Sequence, residues 1–210
     1  MFGYAPKQLT LRQSILAAIS TMLVWGGLEY YDIILFASLA PILEMYFFPS
    51  RVAIVSAIET WGGAFATTYF VRPIGAVIFG WVGDVRGRRL ATISDAALVG
   101  LATLAIGLLP TYYTAGGVMA PILLYLMRVL QGIGLGGEAG GGASWALELT
   151  PRGGIRPYIN GVMYSGLSWA VFLTSFVTLS VKSAMHQAFN VYGWRILFIT
   201  GAIPADSLNN

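Results

Sequence analysis

Acidic side chains stand inside a stretch of sequence that is otherwise apolar, and they are the first candidates for chemistry. Glu29 and Asp32 lie three residues apart, which puts them on one face of a helix. Two carboxylates this close repel each other when both are ionised, so one of them is expected to hold a proton at neutral pH. A carboxyl group that binds and releases a proton within an apolar segment suits a proton-coupled carrier. The alternative is that both acids pair permanently with arginines of other helices and fix the bundle.

Two arginines also stand in apolar segments, one of them close to a glutamine. Arg128 precedes Gln131 by three residues, nearly one turn of a helix. A buried guanidinium can hold a carboxylate through two parallel hydrogen bonds, whether that carboxylate belongs to a substrate or to the acids above. Arg72 is followed by Pro73, which removes a backbone donor and is expected to kink the helix. Substrate binding and structural neutralisation both remain open for Arg72, while a functional role is favoured for Arg128.

A glycine-rich run follows, with seven glycines in the eleven residues 132–142. Three of them match the spacing G-x-G-x-x-G of dinucleotide-binding loops, but no strand precedes them and such a pocket would have to lie in water. Close packing of helices is the better explanation, because membrane helices use small residues where their backbones touch. Glu138 lies beside two of these glycines, as Glu29 lies close to another Gly-Gly pair, so Glu138 joins the candidates. Three further acids near the ends of apolar stretches are expected to reach water or pair locally: Glu59, Asp95 and Glu148.

The elements that must position these residues are membrane helices. Of the 210 residues, 57% are hydrophobic and only 10% are charged, and the mean hydropathy is +0.73. Soluble domains carry about 25% charged residues, and about 20 apolar residues in a helix cross a bilayer. We therefore predict an all-α polytopic membrane protein, one transmembrane domain over 1–210, and exclude a soluble enzyme, a nucleic-acid module and a disulfide scaffold. The predicted spans are about 15–43, 56–81, 90–110, 120–149, 158–181 and 194–210, the last of them incomplete.

The basic residues predict how the chain is oriented. Of the twelve lysines and arginines, seven fall on the side of the N-terminus and three on the opposite side, while Arg72 and Arg128 lie within spans. The excess of positive charge places the N-terminus in the cytoplasm of a multi-pass plasma-membrane protein. The chain has no cysteine and a single histidine, so we expect neither a metal site nor a bound cofactor.

The segment 80–89, Gly-Trp-Val-Gly-Asp-Val-Arg-Gly-Arg-Arg, is similar to a loop signature of a known superfamily. It resembles the cytoplasmic loop between helices two and three of the major facilitator superfamily, in which glycines allow a tight turn and arginines face the cytoplasm. The resemblance implies a cytoplasmic gate motif made by Gly80, Gly83, Asp84, Gly87, Arg88 and Arg89.

Further blocks narrow the resemblance to the metabolite:proton symporter family. They lie in order at 27–32, 47–50, 72–75, 128–138 and 194–195. That family includes carriers of citrate, 2-oxoglutarate, shikimate, dicarboxylates, proline and betaine. The resemblance implies the six-helix N-terminal bundle of the superfamily, built from two three-helix inverted repeats, and a proton-driven carrier with alternating access. By this resemblance Arg128 serves proton coupling or substrate binding, and Glu29 and Asp32 lie on the proton or substrate path.

The residues and the resemblance together predict proton-coupled transport of a small organic acid or zwitterion. The expected partners are the metabolite, the proton, the lipid bilayer and either a C-terminal six-helix half or a second copy of the chain, with no nucleic acid. The proton gradient is the expected driving force, with no cofactor. A non-transporting membrane fragment or gene remnant is the alternative. A membrane-embedded enzyme ranks last, because the sequence has neither a metal cluster nor a nucleophile with its base.

Overall fold

A computed structural model of the chain describes residues 27–49, 56–149 and 165–201, together with residues 10, 13, 16, 157, 158, 161 and 162. At 27–29, 88–89, 115–116, 138–149 and 167 it describes the backbone but not the side chain. The predicted roles of Glu29, Glu138, Arg88 and Arg89 depend on side chains outside this description.

The regular structure of the described residues is entirely helical, which confirms the all-α fold class. Five helical stretches are long and apolar enough to cross a membrane. Short π-helical segments at Ile58–Phe65, Tyr112–Gly116 and Phe189–Gly193 precede three of the α-helices. Within the described residues the α-helices are α1 Gly27–Phe47, α2 Ala66–Arg86, α3 Arg88–Leu108, α4 Met119–Leu149, α5 Gly166–Met185 and α6 Trp194–Gly201.

The first two helices extend beyond the spans predicted from the sequence. Helix α1 passes through Pro41 and ends at Phe47 rather than at residue 43, because the apolar face that carries Leu43 and Phe47 stays buried. Helix α2 continues to Arg86 rather than ending at residue 81.

The predicted loop between spans two and three is therefore almost absent. Gly87 alone separates α2 from α3, with φ 99° and ψ 142°. Residues with a Cβ avoid this backbone conformation, so one glycine is enough to end one helix and start the next. The first part of the gate motif, Gly80, Gly83 and Asp84, lies in the last turns of α2 and not in a loop.

Helix α4 lies at the centre of one group of helices, with α2 and α3 packed along it. Glycines make the contact with α2 close. A Cβ on Gly132 would lie 2.5 Å from the carbonyl oxygen of Thr68, and one on Gly136 would overlap the carbonyl oxygen of Arg72. The glycine-rich run thus brings two helix backbones together, as expected for small residues in a membrane interface.

Helix α1 packs mainly against α5 and α6, and it meets the π-helical segment Ile58–Phe65 that leads into α2. The end of α1 at Phe47 is sealed by a buried aromatic cluster. The rings of Phe47 and Trp194 meet edge to face at 6.0 Å, and Trp194 meets Phe198 at 6.3 Å. This apolar cluster extends along α1 to Phe36, where the polar centre of the bundle begins.

Candidate functional site

A buried ion pair joins α1 to α4 in the interior of the bundle. The Nη1 of Arg128 lies 3.0 Å from the Oδ2 of Asp32, and the two side chains are 0% and 3% exposed. The sequence identified both residues as candidates and named an arginine on another helix as a possible partner for the acids. The two residues are 96 positions apart in the chain, so only the tertiary fold brings them together.

Two neutral side chains complete the cluster. The Nε2 of Gln131 donates to the Oδ1 of Asp32 and to the Oγ1 of Thr103, both at 2.8 Å. The Nη1 of Arg128 donates to the Oε1 of Gln131 at 2.7 Å, and the hydroxyl of Thr103 donates to the Oδ1 of Asp32 at 3.2 Å. All four residues are buried. The carboxylate therefore accepts three hydrogen bonds, which is the way a buried ionised acid is stabilised.

The other contacts of Arg128 come from the start of span two and from α1. Its Nε donates to the carbonyl oxygen of Ala64, 3.3 Å away, in the π-helical segment. Its guanidinium carbon lies 4.0 Å from the centre of the Phe36 ring, a distance typical of a cation–π contact. The backbone oxygen of Arg128 accepts a 3.4 Å hydrogen bond from Thr68. The Nη2 has no hydrogen-bond partner among the residues that the structure describes.

Arg72 lies outside this cluster, on the flank of α2. It is half-buried, and its guanidinium carbon lies 4.8 Å from the centre of the Tyr69 ring. The structure thus separates the two intramembrane arginines: Arg128 joins Asp32, and Arg72 stacks on an aromatic side chain one turn before it.

The gate motif lies at the junction of α2 and α3. Asp84 is exposed, and a Cβ on Gly80 or on Gly87 would meet nothing within 4 Å. Arg88, another predicted member of the motif, is described only by its backbone, so its part in the gate stays a prediction. The same holds for the parts predicted for Glu29, Arg89 and Glu138.

Three buried polar residues lie among the described side chains of α3, and two of them, Thr92 and Thr103, were not predicted. Asp95 was expected to reach water or pair locally near the end of its span. It is 1% exposed, so it does not reach water, but its Oδ1 accepts a local hydrogen bond of 2.7 Å from the backbone nitrogen of Ala96. Helix α3 begins at Arg88, which puts Asp95 two turns inside the helix, where its backbone faces Gly134 of α4. Thr103 lies on the same buried face, together with Thr92. A polar residue at 92, 95 and 103 follows helical spacing, and this periodicity is the sequence signal that could have found Thr103.

In the part of the chain that the structure describes, no group of three or more histidine, aspartate and glutamate side chains could hold a metal ion. The described site is a charge pair with two neutral hydrogen-bonding partners, and the ring of Phe36 lies against the guanidinium.

Comparison with known proteins gives consistent matches. The profile of the family described as "Sugar (and other) transporter" matches residues 18–208. The inner membrane metabolite transport protein YhjE of Escherichia coli (strain K12) is 34% identical over 203 residues, which cover 95% of this chain and 44% of that protein. The shikimate transporter of the same organism is 33% identical over 172 residues, covering 81% of this chain and 39% of that protein. The chain thus spans less than half the length of these relatives.

A solved structure shares the fold. The major facilitator superfamily proton:xylose symporter XylE, bound to 6-bromo-6-deoxy-D-glucose, superposes with a TM-score of 0.80 at 19% sequence identity. The superposition covers 95% of this chain and 44% of XylE. This confirms that the helices adopt the arrangement of one half of that structure.

Proposed function

Because the chain belongs to the sugar (and other) transporter family of the major facilitator superfamily, we propose that it forms half of the path of a proton-coupled carrier. The proposed substrate is a small organic acid or a zwitterion. The family and the relatives are membrane transporters and not enzymes. The observation that carries the proposal is the buried pair of Asp32 and Arg128.

Charge balance in this pair explains how a proton and an anion can be coupled. Arg128 is fully buried, so its charge needs a counter-charge, which ionised Asp32 supplies. If Asp32 takes up a proton, a substrate carboxylate can replace it beside the guanidinium. Leaving a buried charge without its partner costs about 3–5 kcal/mol. Binding of the proton alone or of the anion alone is then disfavoured by about two to four orders of magnitude. The two would therefore bind and leave together.

The burial of the pair supports alternating access. Arg128 and Gln131 are 0% exposed, so a substrate reaches them only after the helices around them move. The aromatic cluster around Phe47 and Trp194 closes one end of α1. Gly75, Gly132 and Gly136 put backbone against backbone in the contact between α2 and α4, so that few side chains interlock there.

The chemistry of the pair favours an anionic or zwitterionic substrate over a neutral sugar. A guanidinium binds a carboxylate with charge-assisted hydrogen bonds, and its Nη2 is available within the described residues for one of them. A relative named as a shikimate transporter is consistent with a carboxylate. XylE, which shares the fold, is named as a xylose symporter, so a sugar is the competing class.

A second half is part of the proposal. In the 18-residue apolar stretches of the spans that contain α2 and α5 only 11% of the residues are buried, whereas in those of α1, α3 and α4 the share is 44–50%. The exposed faces of α2 and α5 can pack against a C-terminal six-helix half or a second copy of the chain, and the remaining apolar surface meets lipid. The charge distribution of the loops supports a plasma-membrane protein with its N-terminus in the cytoplasm.

Uptake into proteoliposomes tests the proposal. The chain is reconstituted alone and together with the C-terminal half of YhjE, and uptake of labelled shikimate, a dicarboxylate, betaine and xylose is measured with and without an imposed proton gradient. We expect carboxylate or betaine uptake that rises with acid outside and is lost in D32N and in R128Q. E59Q makes the same carboxylate-to-amide change at an exposed residue and is expected to transport normally.

Each other result contradicts a definite part of the proposal. Uptake of xylose without uptake of carboxylates would contradict the proposed substrate class. Uptake at the same rate with and without the proton gradient would contradict proton coupling. No uptake with or without the second half would favour a non-transporting fragment. If the pair only fixed the bundle, the double variant D32N/R128Q would keep gradient-dependent uptake, whereas charge balance predicts that it does not.

A further inference from the structure

We propose that Thr103 accepts a hydrogen bond from the protonated carboxyl group of Asp32. In this way Thr103 acts as a positioning residue that stabilises both the ionised and the protonated form of Asp32. The inference rests on the proposed function, in which Asp32 binds the proton. It goes beyond that function because it assigns a specific task to a neutral side chain on α3.

The neighbours of Asp32 suit its ionised form. The Oδ2 faces the Nη1 of Arg128 at 3.0 Å, and the Oδ1 faces the Nε2 of Gln131 at 2.8 Å. A guanidinium and an amide nitrogen carry only donors. Both therefore bind a carboxylate, but neither can accept a hydrogen bond from the O–H of a carboxylic acid.

Turning the amide of Gln131 does not provide an acceptor. The Oε1 of Gln131 already accepts from the Nη1 of Arg128 at 2.7 Å. A turn of the amide would bring its nitrogen to that position, so that two donors would face each other at a hydrogen-bonding distance. The orientation of Gln131 is therefore set by Arg128.

Thr103 is the neighbour that can reverse its role. A hydroxyl has one hydrogen to donate and two lone pairs to accept with, and its hydrogen can rotate. With Asp32 ionised, Thr103 donates to the Oδ1 at 3.2 Å and accepts from Gln131 at 2.8 Å. With Asp32 protonated, the acid O–H can donate to the same hydroxyl oxygen over the same distance, and the bond from Gln131 is kept.

The proposal requires that the hydrogen released by Thr103 turn to another acceptor. Threonine and serine in helices can donate to the carbonyl four residues earlier, which for Thr103 is that of Val99. Ser94 makes this bond on the same helix, to the carbonyl of Leu90 at 2.8 Å.

The other described ionisable groups make different contacts. The hydroxyl of Tyr31, on α1, donates to the carbonyl of Leu197, and Arg72 stacks on the ring of Tyr69, on α2. Asp95 lies two turns from Thr103 on α3. The described ionisable groups of the remaining elements packed on α1 lie toward its Phe47 end: Glu59, Lys182 and Arg195.

Infrared spectroscopy of the full chain in lipid nanodiscs tests the inference without any substrate. The difference spectrum between acidic and neutral pH records the C=O stretch of carboxyl groups that become protonated, and the band lost in D32N belongs to Asp32. In T103V we expect this band to move to higher wavenumber, because the acid O–H no longer donates. T103S keeps the hydroxyl and is expected to restore the band to its original position.

Two further variants control for packing. T92V removes a hydroxyl from the same helix, where the buried Oγ1 of Thr92 has no hydrogen-bond partner among the described residues, so the band is expected not to move. T103C puts a weaker acceptor at the site and is expected to give an intermediate shift, which keeps the inference testable if T103V does not fold.

The results separate this inference from the proposed function. A D32N-sensitive band that keeps its position in T103V and T103C would overturn the part assigned to Thr103 and leave Asp32 as the proton site. Absence of any D32N-sensitive band between acidic and neutral pH would overturn the proton site itself. A shift of equal size in T92V would show that the band reports packing of α3, and would overturn the inference.

Discussion

Replacing Asp32 with asparagine removes the counter-charge of a guanidinium that has no access to water. Arg128 is 0% exposed, and Asp32 is the acid with which it forms its ion pair. The asparagine can still accept a hydrogen bond, so the loss is mainly that of charge. Removing one partner of a buried pair destabilises a protein by about 3–5 kcal/mol. We expect D32N to lower the free energy of unfolding by this amount.

Replacing the partner, Arg128, with glutamine is expected to lower the free energy of unfolding less. R128Q leaves Asp32 with the donors of Gln131 and Thr103, and a carboxyl group that lacks a counter-charge can take up a proton. We expect a loss of about 1–3 kcal/mol, which is typical of a buried hydrogen-bonded group that loses a partner. The double variant lacks both charges of the pair, and we expect it to be about 2 kcal/mol more stable than the sum of the single losses predicts.

Unfolding in mixed detergent and sodium dodecyl sulfate micelles, followed by far-ultraviolet circular dichroism, measures these differences. E59Q is the matched control, since Glu59 is exposed, and it is expected to change the free energy of unfolding by about 0.5 kcal/mol or less. If the losses in D32N and R128Q add within about 0.5 kcal/mol, the two residues are not coupled, and the reasoning from the buried pair is refuted.

Further substitutions test the close glycine contact, the turn at Gly87 and the end of α3. G136A should destabilise the chain by about 1–3 kcal/mol, because the new Cβ would overlap the carbonyl of Arg72. G80A is the control: its Cβ meets nothing within 4 Å, so it should be neutral or slightly stabilising. Unfolding in micelles compares the two variants. G87A should lose about 1–3 kcal/mol in the same assay because its φ of 99° strains any residue with a Cβ, and an unchanged stability would contradict the conformation of this turn. R195Q removes two hydrogen bonds, of 2.7 and 2.9 Å, to carbonyls at the end of α3. Amide hydrogen exchange at the end of α3 should therefore be faster in R195Q than in the unmodified protein, and less so in R195K. Equal exchange in the unmodified protein, R195Q and R195K would show that Arg195 does not stabilise this helix end.

The membrane helices were predictable because a long apolar segment in a bilayer must satisfy its backbone hydrogen bonds internally, and a helix does so. Their ends were less predictable. The first span was predicted to end at about residue 43, but α1 continues through Pro41 to the buried Phe47. The glycines of the loop signature are compatible with helix as far as Arg86. A proline or a glycine changes the local energy by a few kcal/mol at most, and tertiary packing can exceed that.

The site was predictable in part. The sequence identified Asp32, Arg128 and Gln131, because an ionisable or amide side chain within an apolar stretch is costly and usually has a functional or structural partner. Thr103 carries no charge and threonine is common in membrane helices, so its one signal in the sequence is its helical spacing with Thr92 and Asp95, and its importance depends on which face of α3 meets α4. The burial of Asp95 was missed for a related reason, because distance from the end of a predicted span does not show which side of the helix is buried.

The position of the pair in the bundle bears on what protonation would do. Helices α2, α3 and α4 pack closely on one another, and α1 packs mainly on α5 and α6. Direct packing between α1 and α4 is slight, so Asp32 and its partners supply much of what joins these two helices. Arg128 would keep its bond to the carbonyl of Ala64 after Asp32 is neutralised. Loss of the charge on Asp32 would thus weaken the contact between α1 and α4, while the packing of α3 on α6 would still join the two groups of helices.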